Sequence, residues 1–151
     1  MTVIDSRTEE LVRESLAAVV GQEPDRLQRA IAAFPDNEAM TIGIRLAAGA
    51  ALFALSERYN GRRPTSEETA EVAHNVVEDE GWTDVSEHEV VLYLTAAYDK
   101  ARVDQVLPMD RVIIVAFVVA ANLLSSHRKD DEEWWDHLDR AEAAIEAGSA
   151  L

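Results

Sequence analysis

The sequence predicts an all-α fold, a single-domain bundle of six or seven helices over residues 1–151 with two apolar helices at its centre. Three observations predict it. Apolar residues recur at helical spacing along most of the chain, and no stretch alternates with period two for long enough to make a strand. Helix starts (Ser-x-x-Glu, a proline near a first turn) and stops (glycine) recur about one helix length apart. Two segments, Met40–Leu55 and Val112–Leu124, are apolar on nearly every side, the pattern of a helix surrounded by protein.

The first helix is expected to open at Ser6-Arg7-Thr8-Glu9, a capping-box spacing, and to stop at Gly21, with Val12, Leu16 and Val19 on its inner face. Pro24 suits the first position of a short second helix, carrying Leu27, Ile31 and Phe34 and ending at Pro35. The third covers about residues 38–59 and ends in Asn60-Gly61. Gly43, Ala47 and Ala51 form a strip of small residues along it, where another backbone can approach closely. Arg45 near its middle, and a greasy run of only about 16 residues, argue against a membrane span.

Ser66-Glu67-Glu68 opens the fourth helix, which stops at Gly81. Ser86-Glu87-His88-Glu89 is a second capping box and opens the fifth, with Val90, Leu94, Ala97 and Ala101 on one face. Leu107-Pro108-Met109-Asp110 ends it and starts the sixth, about residues 109–126. The Val and Ile content of Val112–Leu124 is strand-like, but the run is long for a strand and its neighbours read as helices. It is also short of the roughly 20 apolar residues a bilayer demands. The seventh helix is expected from near Asp130 to Gly148, with Trp134, Leu138, Ala141 and Ile145 as its stripe.

Composition narrows the function. The chain has 29 acidic residues against 14 Lys and Arg, a formal charge of −15. A field of that sign repels nucleic acid and anionic lipid and attracts cationic partners, so neither nucleic acid nor membrane is expected as a partner. The absence of cysteine excludes disulfides and thiolate metal sites and suits a cytoplasmic location. The polar, acidic MTVIDSRTEE has neither the basic nor the apolar region of a secretory signal.

Six carboxylates fall within Glu78–Glu89, around Trp82. Glu78, Asp79 and Glu80 close a helix whose macrodipole they oppose, so a cation or a partner's basic residues are expected to offset them. Glu78, Asp79, Glu80, Trp82 and Asp84 are the candidate partner-binding patch. Trp135, turned about 100° from Trp134, is a candidate aromatic anchor. Arg58, Arg62 and Arg63 form the densest basic cluster, expected to pair with the acidic turn of the same or a neighbouring molecule. Asn122 reads as a buried amide bonded to a neighbouring helix. Two helices apolar all round need more cover than five modest helices supply, so a homodimer is expected.

Glu67-Glu68-x-x-Glu71 resembles the first half of the acidic motif of all-α nucleotide pyrophosphatases of the MazG type. The resemblance implies magnesium held by carboxylates of two neighbouring helices against a triphosphate. The second half departs from the pattern: Glu80-x-x-x-Asp84 is one residue too long and spans a glycine turn. Glu71-x-x-His74 has a di-iron bundle spacing but occurs once. No catalytic residue and no cofactor is therefore assigned; Glu67, Glu68, Glu71 and His74 are the weak metal candidates. The expected function is a non-enzymatic protein-interaction or regulatory module with an acidic surface. The alternatives are a magnesium-dependent nucleotide phosphohydrolase and a helical bundle holding a small ligand beside the glycines of the third helix.

Overall fold

The computed structural model describes residues 4–148. Among them are seven α-helices: α1 (Ser6–Val20), α2 (Pro24–Ala32), α3 (Asn37–Arg58), α4 (Ser66–Asp79), α5 (Glu87–Tyr98), α6 (Met109–Ser126) and α7 (Trp134–Glu146). A short 3-10 turn, Val103–Gln105, joins α5 to α6, and no strand occurs among the described residues.

Caps set most of the boundaries. Asp5, not Ser6, caps α1: its carboxylate accepts from the Thr8 backbone N–H at 2.9 Å, so Ser6 lies inside the helix. Thr65 and Glu68 cap α4 reciprocally, and Ser86 and Glu89 do the same for α5. Glu133 and Asp136 start α7 four residues after Asp130. The fifth helix stops at Tyr98, short of Ala101, because Lys100 turns into the left-handed region at φ 56°. Asn60 and Gly61 do the same after α3.

The long apolar helices α3 and α6 pack against each other at the centre, α1 lies across both, α2 packs on α1, α7 covers α3 and α6, and α4 with α5 covers α6. Every residue from Val115 to Leu124 is buried, so α6 is enclosed on all sides for nearly three turns. By contrast α3 leaves Thr41, Ile42 and Arg45 exposed. One connected core takes residues from all seven helices. The cover for α6 comes from within one chain, so the core itself sets no need for a second copy. Helices α3 and α6 have 22 and 18 residues, and within each an 18-residue window reaches a mean hydropathy of 1.6 and 1.7, so both meet the length and composition of a membrane span. The sequence-based length argument therefore falls; what distinguishes these helices is that 50% and 61% of their apolar windows are packed inside the molecule.

Glycines of α3 mark close approaches. A Cβ at Gly43 would sit 2.8 Å from the Phe34 ring and 3.3 Å from Val12; one at Gly49 would sit 2.9 Å from the end of the Ile145 side chain. The Phe34 ring is itself stacked on Phe117, with centroids 6.0 Å apart, and has little freedom to yield. Ile145 is half-buried and yields by a rotamer change. We expect Gly49→Ala to stabilise the chain by roughly 0.5–1 kcal/mol through helix propensity. Gly43→Ala is expected to destabilise it by about 1 kcal/mol, crowding outweighing the same gain. Urea melts of both variants check the opposite signs.

Candidate functional site

The acidic turn between α4 and α5 is built mostly from internal contacts. Glu80, which the sequence places on a binding surface, points inward and is 8% exposed. Its carboxylate accepts from the Trp82 indole N–H at 2.7 Å and from the Asn122 amide of α6 at 2.9 Å. Asn122 also donates to Asp79 at 3.2 Å. The Glu78 carboxylate lies 3.1 Å from His74 Nε2, and Glu87 lies 3.2 Å from its Nδ1. These two carboxylates, Glu87 first, raise the His74 pKa. Asp84 and Glu89 share Arg111 at 3.1 and 2.7 Å, and that guanidinium holds the Glu89 pKa down. Within the chain, Glu80 and Asp79 are thus met by Asn122 and Trp82, Glu78 by His74, and Asp84 with Glu89 by Arg111.

These contacts make a wall. With Glu80 anchored to α6, Trp82 stands half-buried beside an apolar groove of about 520 Å³. Thr83 and Asp84 continue this wall. The groove is also lined by α2, through Pro24, Leu27, Gln28 and Ile31, and by α6, through Asp110, Ile113 and Ile114. Both sets fall at i, i+3, i+4 spacing, so each is one face of its helix. Leu27 is buried, while Ile31, Ile113 and Ile114 are half-buried and open to the groove. The acids Asp84 and Asp110 are exposed, and among the described residues Asp110 has no ion-pair partner.

The other candidates lie elsewhere. Trp135 is 45% exposed at the start of α7, its ring edge-on to Trp134. The basic cluster does not meet the acidic turn: Arg62 pairs with Glu68 at 2.7 Å, Arg63 with Asp99 at 2.6 Å, and Arg58 contacts His127. Arg58 and Arg62 also stack on Tyr59, and Arg63 on Tyr98. Glu68 is committed to Arg62 and the Thr65 cap, which hold its pKa down to about 2. Glu67 and Glu71 are exposed on α4, His74 is turned to Glu78 and Glu87, and no three His, Asp or Glu side chains among the described residues converge as metal ligands.

A buried carboxyl and a half-buried imidazole with large shifts lie outside the groove. Glu142 of α7 is 9% exposed and shares Arg13 with Glu9 and Asp139. Burial and then the Glu9 charge push its pKa up to about 7. His127 accepts from Arg58 through Nε2, leaving Nδ1 buried without a partner. Burial, with Arg58 and His137 nearby, lowers its pKa to about 4. Nearby, the buried His137 donates from Nδ1 to the Leu124 carbonyl at 3.0 Å, while its Nε2 lies 3.1 Å from Glu57 but off the line of a hydrogen bond.

The two shifts act oppositely. Folded Glu142 keeps a proton that the unfolded chain releases above its ordinary 4.5, so its contribution to stability falls as pH rises from 4.5 to about 7. Folded His127 refuses a proton that the unfolded chain takes up below 6.5, so its contribution is lost as pH falls from 6.5 to about 4. In the parent chain they largely cancel. Glu142→Gln is expected to leave stability rising with pH across this window, and His127→Gln to leave it falling, each by roughly 1–2 kcal/mol. Denaturant midpoints at the two ends of the window check the slopes.

Trp82 and Asp84, singled out in the sequence, both line this groove; its α2 and α6 faces were not legible, since nothing in their spacing says that two stripes some 80 residues apart meet. No family model, no curated protein and no solved structure matches this chain.

Proposed function

We propose that this protein is a non-enzymatic interaction module, soluble and cytoplasmic, whose binding face is the groove between α2, the acidic turn and α6. One observation carries the reading: half-buried apolar side chains of two helices line an open groove of about 520 Å³, and an internally braced tryptophan forms its wall. A wall fixed by buried hydrogen bonds is pre-organised, which lowers the ordering cost of binding. A tryptophan at the margin of an apolar cleft is the residue type that interface energetics favour. The acidic surface steers cationic partners toward it. Homodimerisation is not part of this reading, because α6 is covered within one chain and two copies of charge −15 repel each other.

The volume also suits a small ligand, whose sites run from roughly 300 to 1,000 Å³. Native mass spectrometry of the purified chain separates the two: a retained small mass supports a ligand site, a bare chain the interaction module. Affinity capture from native lysate with the parent chain, Gln28→Arg and Trp135→Ala then tests the face. Binders lost with Gln28→Arg and kept with Trp135→Ala support the groove. The reverse pattern moves the interface to α7 and ends this proposal.

A further inference from the structure

We infer that the occupant of the groove is one face of a cationic amphipathic α-helix belonging to another protein, an inference that rests on the interaction reading above. The shape argues for a helix. On α2 the groove residues are spaced i, i+3, i+4, i+7, and on α6 they are i, i+3, i+4. Each helix therefore presents a ridge, and the furrow between two such ridges is what a third helix packs into. The α2 stripe is about two turns, or roughly 10 Å, long. An occupant with apolar residues at i, i+3 or i+4, and i+7 matches it.

The charge argues for a cation-bearing helix that is not this chain's own. Asp84 and Asp110 are exposed lining residues; Asp84 shares Arg111 with Glu89, and Asp110 has no ion pair among the described residues. The two arginines of α2 lie off the stripe: Arg26 is held by Glu14 and Glu23, and Arg29 lines a separate depression with Glu23 and Asp25. A second copy brings charge of the same sign.

The experiment uses the full chain and three labelled synthetic peptides of about four helical turns. One has leucines on a single face and lysines elsewhere, one carries glutamates in place of the lysines, and one has the lysine composition in scrambled order. Fluorescence anisotropy reads binding to the parent chain and to Gln28→Arg, Gln28→Glu and Asp130→Asn. Gln28 is exposed within the groove, and Asp130 is exposed in the turn between α6 and α7, so all three variants spare the core. We expect the ordered lysine peptide to bind more tightly than the scrambled one. Gln28→Arg should weaken it and Gln28→Glu strengthen it, each by up to about fivefold. Asp130→Asn, which changes the net charge as Gln28→Arg does, should leave it nearly unchanged.

If ordered and scrambled peptides bind alike and the two charge changes act alike, the attraction is only the overall field and the inference is overturned. If instead the acidic peptide binds, and more tightly to Gln28→Arg, the groove is a binding face but its occupant is of the opposite charge. If no peptide responds to position 28, the interaction reading fails together with the inference.

Discussion

Phe117→Ala is expected to cost about 4 kcal/mol. Phe117 lies at the midpoint of α6, fully buried, with its ring stacked on Phe34. Removing it deletes one of the two largest wholly enclosed side chains and opens a cavity that neighbours on α1 and α3 fill only in part. It also frees the Phe34 ring, which occupies the space that Gly43 leaves open. Against a total stability of some 5–15 kcal/mol, the loss lowers the melting temperature by roughly 10 °C. Urea denaturation followed by far-ultraviolet dichroism measures it. A cost below about 1 kcal/mol would mean that α6 is not enclosed, because an exposed aromatic residue is removed at little expense.

Asn122→Leu should cost nearly as much, about 2–3 kcal/mol, for a different reason. Leucine fits a slot of this size and keeps the helix, but it strips the Glu80 carboxylate of its α6 donor. A buried acceptor is then left with the Trp82 indole alone. Replacing both partners by apolar groups is much less damaging than replacing one, so Asn122→Leu with Glu80→Met should recover most of the loss. The double-mutant cycle has a functional readout as well. Each single variant loosens the Trp82 wall, so its tryptophan emission should shift to the red, and the ordered lysine peptide should bind more weakly. If Asn122→Leu is silent in both stability and emission, the buried bridge between α4 and α6 does not brace the groove.

What the sequence could show follows from the length scale of each signal. The enclosure of α6 was legible because Val112–Leu124 offers no polar face to water except Asn122, and Asn122 was legible as buried for the same reason. The position of α3 was half legible: its apolar centre marked it as central, but Arg45 gives it an outer side that α6 lacks. The fifth helix was drawn past Tyr98 because Ala101 continues the stripe, whereas the backbone turns at Lys100, where no glycine marks the left-handed conformation. The inward turn of Glu80 was hidden because its neighbours Glu78 and Asp79 are exposed, and only the donors across from it distinguish the three. The pairing of Arg62 and Arg63 with Glu68 and Asp99 was hidden too, since many acids compete for three arginines and proximity in the fold decides among them. For the groove, Leu27 and Ile31 were read only as the apolar residues of a short second helix; Ile31 lies half-open because α2 is short and packs chiefly on α1.

The most direct test of the groove is a titration of the isotope-labelled chain with the ordered lysine peptide, followed by backbone and indole N–H resonances. The account predicts shifts confined to Leu27–Ile31, Thr83, Asp84, the residues Asp110–Ile114 and the Trp82 indole. Shifts gathered instead at Trp135 or at Arg58–Arg63, or spread evenly over the acidic surface, would contradict it.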